Sequence, residues 1–89
     1  MSAEQVVAEI GRFIRQRRKA SKLTQIELSE IAGVGLRFVS ELERGKPTVR
    51  LAEVDAVLAV FGKQLGLVER QSEERNVTSS QIGVSDDEA

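Results

Sequence analysis

The sequence predicts a mostly α-helical bundle of four to five helices, followed by a short β-strand. Three observations lead to this prediction. Apolar residues recur at helical spacing up to Gly62, capping signals precede most of the apolar stretches, and glycines stand where the short helical patterns end. A chain of 89 residues has room for one small domain of this kind.

The first predicted helix covers about 18 residues after Ser2. Ser2 and Gln5 fit a capping box, in which each side chain satisfies a free backbone N–H of the other residue. Ile10 and Ile14 lie on its apolar stripe. Its second half is basic, with no acidic residue between positions 10 and 26. Cations are favourable near a helix C-terminus, so the basic run also has a purely structural explanation.

Two short helices joined by a turn follow. The second helix begins at Thr24, which fits a capping box with Glu27, and it ends at Gly33. The third helix is expected between Gly35, as its N-cap, and Gly45. Its apolar face consists of Phe38, Val39 and Leu42. Two short helices joined by a turn that contains glycine have the layout of a helix-turn-helix.

A fourth helix is predicted after the single proline, Pro47. Thr48 is its expected N-cap, and Gly62 is its expected end. Glu53 and Asp55 have no evident partner in the pattern, so we expect them to be solvated. The apolar residues of one face are Leu51, Val54, Val57, Leu58 and Phe61.

The segment 63–70 is interpreted as a short strand, because Leu65 and Leu67 alternate with Gln64 and Gly66. A lone strand has unpaired edges, and antiparallel pairing with the same strand of a second chain satisfies them. We therefore expect a homodimer. In it, Leu65 and Leu67 point inward, and Gly66 lets the two backbones approach closely.

Charge divides the chain into two parts. Residues 1–70 carry 12 Lys and Arg against 9 Asp and Glu, a net charge of +3, whereas residues 71–89 carry one Arg against five acids, a net charge of −4. We expect a domain over 1–70, which includes the strand, and a disordered acidic tail over 71–89. The simplest explanation of its acidic residues is that they keep the tail solvated. The alternative is that the tail docks on a basic partner or mimics DNA.

The composition argues against several classes of protein. The chain has no Cys and no His, which removes thiol and imidazole catalysis, the usual zinc sites and disulfides. No nucleophile–base pair and no phosphate-binding loop is visible, so we expect no enzyme, no metal and no cofactor. Trp and Tyr are also absent, which disfavours stacking on single-stranded nucleic acid. No apolar run reaches the roughly 18 residues of a membrane span, and no signal-peptide pattern is seen, so we expect a cytoplasmic protein without membrane contact.

Residues 12–62 resemble the lambda-repressor-like helix-turn-helix family, also called the XRE family. The resemblance rests on the strings R-R-K-A-S-K-L-T-Q-I-E-L-S-E-I-A-G-V and V-S-E-L-E-R-G-K-P. The wider string G-K-P-T-V-R-L-A-E-V, followed by L-G-L-V, is similar to HipB-type antitoxins, which are encoded beside a HipA-like kinase toxin. Two positions depart from the family pattern: Ser29 stands where alanine is usual, and Gly35 stands where Ser, Thr or Asp is usual.

The resemblance implies that the third helix enters the major groove of double-stranded DNA. Arg37 is then the best candidate for a guanine contact, because its planar fork matches O6 and N7. Leu36 is placed to touch a thymine methyl group, Ser40 to bond a base or a phosphate, and Glu41 to accept from a cytosine amine. Without the resemblance, these four residues would be ordinary solvated positions on a surface helix.

The resemblance also assigns positioning roles. The glutamine that matches Gln25 reaches a phosphate in this family and braces the base-reading helix. Arg18 and Glu43 match an arginine and a glutamate that form a structural ion pair. Four further residues flank the same surface as Gln25 and are expected to contact phosphates: Lys22, Thr24, Arg44 and Lys46.

These roles imply a sequence-specific DNA-binding repressor that binds an inverted-repeat operator as a homodimer. The narrower similarity implies the antitoxin of a HipA/HipB-like pair, which represses its own operon and binds its kinase toxin. The alternative is a stand-alone XRE-family or phage-type regulator without a toxin partner.

Overall fold

Four helices follow one another through residues 2–70, the part of the chain that the computed structural model describes. They are α1 (Ala3–Ala20), α2 (Gln25–Ala32), α3 (Leu36–Glu43) and α4 (Leu51–Val60). The sequence predicted four to five helices, and the described residues form four. The acidic tail predicted at 71–89 lies outside the described residues.

The helix boundaries follow the capping signals of α1 and α2. Ser2 and Gln5 form the predicted capping box, with the Ser2 amide 2.6 Å from Gln5 Oε1 and the Gln5 amide 3.1 Å from Ser2 Oγ. Thr24 and Glu27 form the second capping box, with bonds of 2.9 and 3.0 Å. Gly33 ends α2 in the left-handed conformation, at φ +74°, which only glycine adopts at little cost. Both capping predictions are confirmed.

The predicted start of α4 is wrong. Its N-cap is Arg50, not Thr48, and no side chain caps it. Residues 48–50 are not helical, and the half-buried Val49 packs against the core. Leu51 therefore occupies the first helical position and is 73% exposed, although the pattern placed it on the apolar face. Val54, Val57 and Leu58 are buried as expected, and Phe61, the C-cap of α4, is half-buried.

The core lies where the four helices meet. Its fully packed side chains come from all four elements and are Ile14, Leu28, Val39, Leu42, Val54, Val57 and Leu58. Gly11 allows α1 to approach α3 closely, because a Cβ atom at this position would lie 2.2 Å from the carbonyl oxygen of Leu42. This contact fixes the crossing of α1 over the C-terminal end of α3.

The segment 63–70 has no regular secondary structure, and no strand occurs within residues 2–70. The predicted strand is thus not observed in the single chain, which offers no second strand to pair with it. Leu65 instead packs against the core, and its amide donates a 2.8 Å hydrogen bond to Asp55 Oδ1 on α4. Asp55 is therefore not merely solvated, as the sequence suggested. Strand formation by pairing of two chains stays a prediction.

None of the described helices is both long enough and apolar enough to cross a membrane.

Candidate nucleic-acid interface

The turn between α2 and α3 is held by backbone hydrogen bonds to a single residue. The amides of Gly33 and Val34 both donate to the Ser29 carbonyl, at 2.9 and 3.0 Å. Ser29 is buried, and its hydroxyl donates a 2.7 Å bond to the carbonyl of Ile26. Serine is therefore tolerated where alanine is usual, because its polar atom is satisfied within the helix. Gly35 caps α3 without a side-chain bond, as predicted.

Helix α3 has one buried face and one exposed face. Val39 and Leu42 are completely buried against the other helices. On the opposite face, Leu36 is half exposed in the first turn, and the Arg37 side chain is 90% exposed. The first turn of α3 therefore presents an apolar group and a planar cation side by side, while its buried face fixes the position of the helix.

Glu41 is not a free acceptor in this structure. Its Oε2 atom lies 3.3 Å from Arg37 Nε and 3.2 Å from Lys46 Nζ, and its side chain is only 19% exposed. The hydrogen bond from Lys46, with a smaller contribution from Arg37, lowers the pKa of Glu41 below its ordinary value, so the carboxylate stays ionised. Ser40 beside it is half buried.

A buried ion pair joins the end of α1 to the end of α3. Arg18 Nε lies 2.6 Å from Glu43 Oε2, and Arg18 Nη2 lies 3.0 Å from Glu43 Oε1. The third guanidinium nitrogen, Nη1, donates a 2.8 Å bond to the carbonyl of Leu23 in the α1–α2 turn. The hydrogen bond to Glu43 raises the pKa of Arg18 above its ordinary value, although burial acts in the opposite direction. The structure thus brings together the two residues assigned to a structural pair.

Gln25 lies on the same carboxylate. Its Nε2 atom donates a 3.0 Å hydrogen bond to Glu43 Oε1, which also accepts from Arg18 Nη2. The first residue of α2 is therefore tied to the last residue of α3. The sequence assigned Gln25 to a phosphate and to bracing of α3, but it gave no sign that Glu43 is the partner. That contact joins residues 18 positions apart and depends on how α2 and α3 cross.

The remaining phosphate candidates lie at the ends of the helices. Lys22 is in the α1–α2 turn, at the positive φ of +59°, and its side chain is exposed. Arg44 caps α3 and is also exposed. Thr24 is engaged as the N-cap of α2, where its hydroxyl oxygen accepts the amide of Glu27. The three positions precede α2 or follow α3, so each lies beside the two-helix unit.

The residues assigned to dimer formation have different environments. Leu65 is half buried, whereas Gly66 is exposed and Leu67 is fully exposed. An apolar groove beside α1 and α4 includes Leu65 in its lining, together with Val6 and Leu51. The sequence missed the bond from Leu65 to Asp55 that fixes one wall of this groove. The signal that could have indicated this bond is the position of Asp55 between Val54 and Ala56, within the apolar stretch of α4.

No group of His, Cys, Asp and Glu within residues 2–70 is arranged to hold a metal ion. The chemistry that this surface offers is recognition by exposed cations and hydrogen-bond donors next to a rigid helix. Such groups match phosphates and the edges of bases.

Comparison with known proteins gives consistent matches to this part of the chain. The helix-turn-helix family model HTH_3 matches residues 14–68. An uncharacterised HTH-type transcriptional regulator of Sinorhizobium fredii, y4mF, is 44% identical over 61 residues, which make up 68% of this chain and 80% of that protein. The immunity repressor protein of Bacillus phage phi105 is 30% identical over 59 residues, which make up 66% of this chain but 41% of the repressor.

The family match begins within α1 and contains α2, α3 and α4 completely. It includes the buried pair of Arg18 and Glu43, the glycine turn and the exposed face of α3. This chain therefore belongs to the HTH_3 helix-turn-helix family.

Proposed function

We propose that this protein is a sequence-specific DNA-binding transcriptional repressor. The observation that carries the proposal is the environment of α3: its inner face is buried, its last residue is fixed by Arg18 and Gln25, and Arg37 projects from its first turn with a side chain that is 90% exposed. A helix held in this way presents a preformed donor fork to the major groove. The names of the two relatives, a transcriptional regulator and a repressor, support the same function.

In this proposal, α3 reads bases and its surroundings hold the DNA backbone. Leu36 and Arg37 meet the base edges first, since both lie in the exposed first turn, and Ser40 follows one turn later, beside Glu41, which is paired with Arg37. Exposed cations at the ends of the two-helix unit contact phosphates, assisted by the N-terminus of α2, where free backbone N–H groups favour anions. The cations are Lys22, Arg44 and Lys46, whereas Thr24 and Gln25 lie at the N-terminus of α2.

The proposed DNA-binding form is a homodimer on an inverted repeat. One exposed first turn of α3 contacts only a few base pairs, and a two-fold dimer doubles the contact and matches palindromic DNA. The segment 63–70 supports this proposal, because Leu67 and Val68 are almost completely exposed beside Leu65, which is anchored on the core. If Leu65, Gly66 and Leu67 pair with the same residues of a second chain, the second chain covers the exposed apolar side chains of this segment.

Two regulatory settings are compatible with this repressor. The similarity of the G-K-P-T-V-R-L-A-E-V string to HipB-type proteins favours an antitoxin that represses its own operon and binds a HipA-like kinase toxin. The match to a phage immunity repressor favours the second setting, a stand-alone regulator, although this chain spans 41% of that relative. Co-purification from the native host decides between them, because a stable complex with a kinase-like protein is expected only in the first setting.

Selection of bound sequences from a random DNA library tests the proposed function. We expect an inverted repeat whose half-sites lie about one helical turn apart, bound at least 1,000-fold more tightly than random DNA, about the lower limit for specific proteins. Sedimentation of the complex should give two chains per site. Failure to enrich any sequence, with equal affinity for all duplexes, would exclude sequence-specific repression.

A further inference from the structure

We infer that Glu41 is a positioning residue that sets the ratio of specific to non-specific DNA binding, by holding both Arg37 and Lys46 on one carboxylate oxygen. The inference rests on the proposed function, because it describes how the DNA-binding face discriminates. It differs from the sequence-based role of Glu41, which was a direct contact to cytosine.

The first step is the geometry of Arg37. Glu41 Oε2 binds the guanidinium at Nε, at 3.3 Å, so the two terminal nitrogens stay available. A guanidinium has five N–H donors in a fixed plane, and the outer pair is able to bond guanine O6 and N7 together. Because Glu41 and Arg37 are four positions apart on α3, the carboxylate restrains the side chain without blocking its outer edge. Glu41 thus lowers the entropy that Arg37 loses when it binds a base.

The second step is the relative depth of the two side chains. Arg37 is 90% exposed, whereas Glu41 is 19% exposed. A DNA duplex that approaches the face therefore meets the guanidinium before the carboxylate. Glu41 is better placed to act through Arg37 than to contact a base itself.

The third step is charge. Lys46 Nζ lies 3.2 Å from the same oxygen, so Arg37, Lys46 and Glu41 together carry a net charge of +1, not the +2 of the two cations alone. Non-specific binding arises almost entirely from cations that neutralise phosphates. The carboxylate weakens that attraction at every sequence. On the cognate site the positioned Arg37 restores affinity through its base contact, so the net effect is greater discrimination.

The experiment measures dissociation constants of the full chain for its selected site and for random DNA, at several salt concentrations. The variants are Glu41→Gln, Arg37→Ala and the double variant. Glu30→Gln is the matched control, because it makes the same charge change on the exposed surface of α2, where Glu30 forms no ion pair with any residue of 2–70. Thermal unfolding confirms that each variant is folded.

For Glu41→Gln we expect random DNA to be bound about two- to fivefold more tightly, because Arg37 and Lys46 lose the carboxylate that partly neutralises them. This factor corresponds to the small free energy of a surface ion pair. The salt slope for random DNA should become steeper by up to about 0.9 for each additional phosphate contacted. Discrimination should fall about three- to tenfold, a part of what one base contact contributes. In the Arg37→Ala background, the same substitution should change discrimination less than about twofold, because the residue through which it acts is gone.

Three outcomes would overturn the inference. Unchanged discrimination in Glu41→Gln, or a fall of the same size in Glu30→Gln, removes the positioning role. A loss that persists in the Arg37→Ala background shows that Glu41 reads a base directly. All three results leave the proposed function intact, whereas a wild-type chain without sequence preference would contradict the proposed function and this inference together.

Discussion

Arg18, in the last turn of α1, and Glu43, the last residue of α3, are 25 positions apart and form a two-bond ion pair with distances of 2.6 and 3.0 Å. Their side chains are 11% and 1% exposed. Glu43 also accepts a hydrogen bond from Gln25 of α2, and Arg18 also donates one to the carbonyl of Leu23. One shielded carboxylate and one guanidinium therefore tie together three elements behind the proposed DNA-reading surface.

Removal of one partner from this pair should destabilise the fold. Arg18→Met leaves the Glu43 charge buried without its main compensation, and we expect a loss of about 3–5 kcal/mol in the free energy of unfolding. The double variant Arg18→Met, Glu43→Met should recover much of this loss, since no unpaired charge remains. Arg37→Met, the same substitution at an exposed ion pair, is the control and should unfold like the wild type. Denaturant titration gives the free energy of unfolding of all four proteins. If Arg18→Met is as stable as the wild type, the pair is screened by solvent and does not stabilise the fold.

The contribution of this pair should not depend on pH in the neutral and mildly alkaline range. The pKa of Arg18 is raised in the folded state, so its stabilisation is complete below the pKa of the unfolded chain and is lost only as the pH rises through the higher folded value. Both values lie above ordinary working conditions. The difference in unfolding free energy between wild type and Arg18→Met should therefore be equal at about pH 6 and about pH 9. If this difference in unfolding free energy is smaller at about pH 9 than at about pH 6, another group that titrates between these values contributes to the interaction.

Gly11→Ala should destabilise the crossing of α1 and α3. The added Cβ atom would lie 2.2 Å from the Leu42 carbonyl oxygen, and backbone atoms cannot move aside cheaply. Overpacking costs about 1–3 kcal/mol, which is partly offset by the better helix propensity of alanine, about 1 kcal/mol. We expect a lower melting temperature and weaker DNA binding. Gln16→Ala, on the exposed side of the same helix, should leave both unchanged, and equal behaviour of the two variants would contradict the steric account.

Arg37 and Lys46 should affect DNA binding in different ways. Arg37→Ala removes the exposed fork of α3 and should cost about 1–3 kcal/mol on the selected site, with relaxed preference at one base position. Lys46→Ala should weaken binding to all sequences alike and flatten the salt slope. Titrations of selected and random duplexes at several salt concentrations separate the two effects. Identical profiles for the two variants would refute the division into a base reader and a phosphate contact.

The Asp55–Leu65 hydrogen bond should control the C-terminal segment. Asp55→Ala removes the acceptor of the Leu65 amide, which is 2.8 Å away, so hydrogen exchange of this amide should accelerate while the helices stay folded. Asp55→Asn keeps the Oδ1 acceptor and should behave more like the wild type.

The same segment is expected to control assembly. Truncation after Gly62 should yield monomers with weak DNA affinity, whereas truncation after Arg70 should preserve the dimer and its operator affinity. Sedimentation and operator titration measure both. A dimer that survives the shorter truncation would rule out segment 63–70 as the dimerisation element.

The sequence alone determined the helices and most of their ends. Capping boxes such as Ser2 with Gln5 and Thr24 with Glu27 join residues three positions apart, so their geometry depends on the local chain only. The buried face of α3 likewise follows from helical periodicity. The start of α4 was predicted wrongly because Thr48 is a good capping residue, yet the packing of the half-buried Val49 against the core outweighs that local preference.

The tertiary structure decided which charged residues share a partner. Nothing in the sequence indicated that Gln25 joins Arg18 on Glu43, because this contact requires α1, α2 and α3 to meet at one point. Gly11 permits that meeting through a contact with the far end of α3. The sequence likewise predicted a solvated Asp55, because its partner, the Leu65 amide, reaches it only when the chain after α4 folds back onto this helix. Local periodicity fixes which face of a helix is buried, but only the packing of helices against one another sets the distances between side chains far apart in the chain.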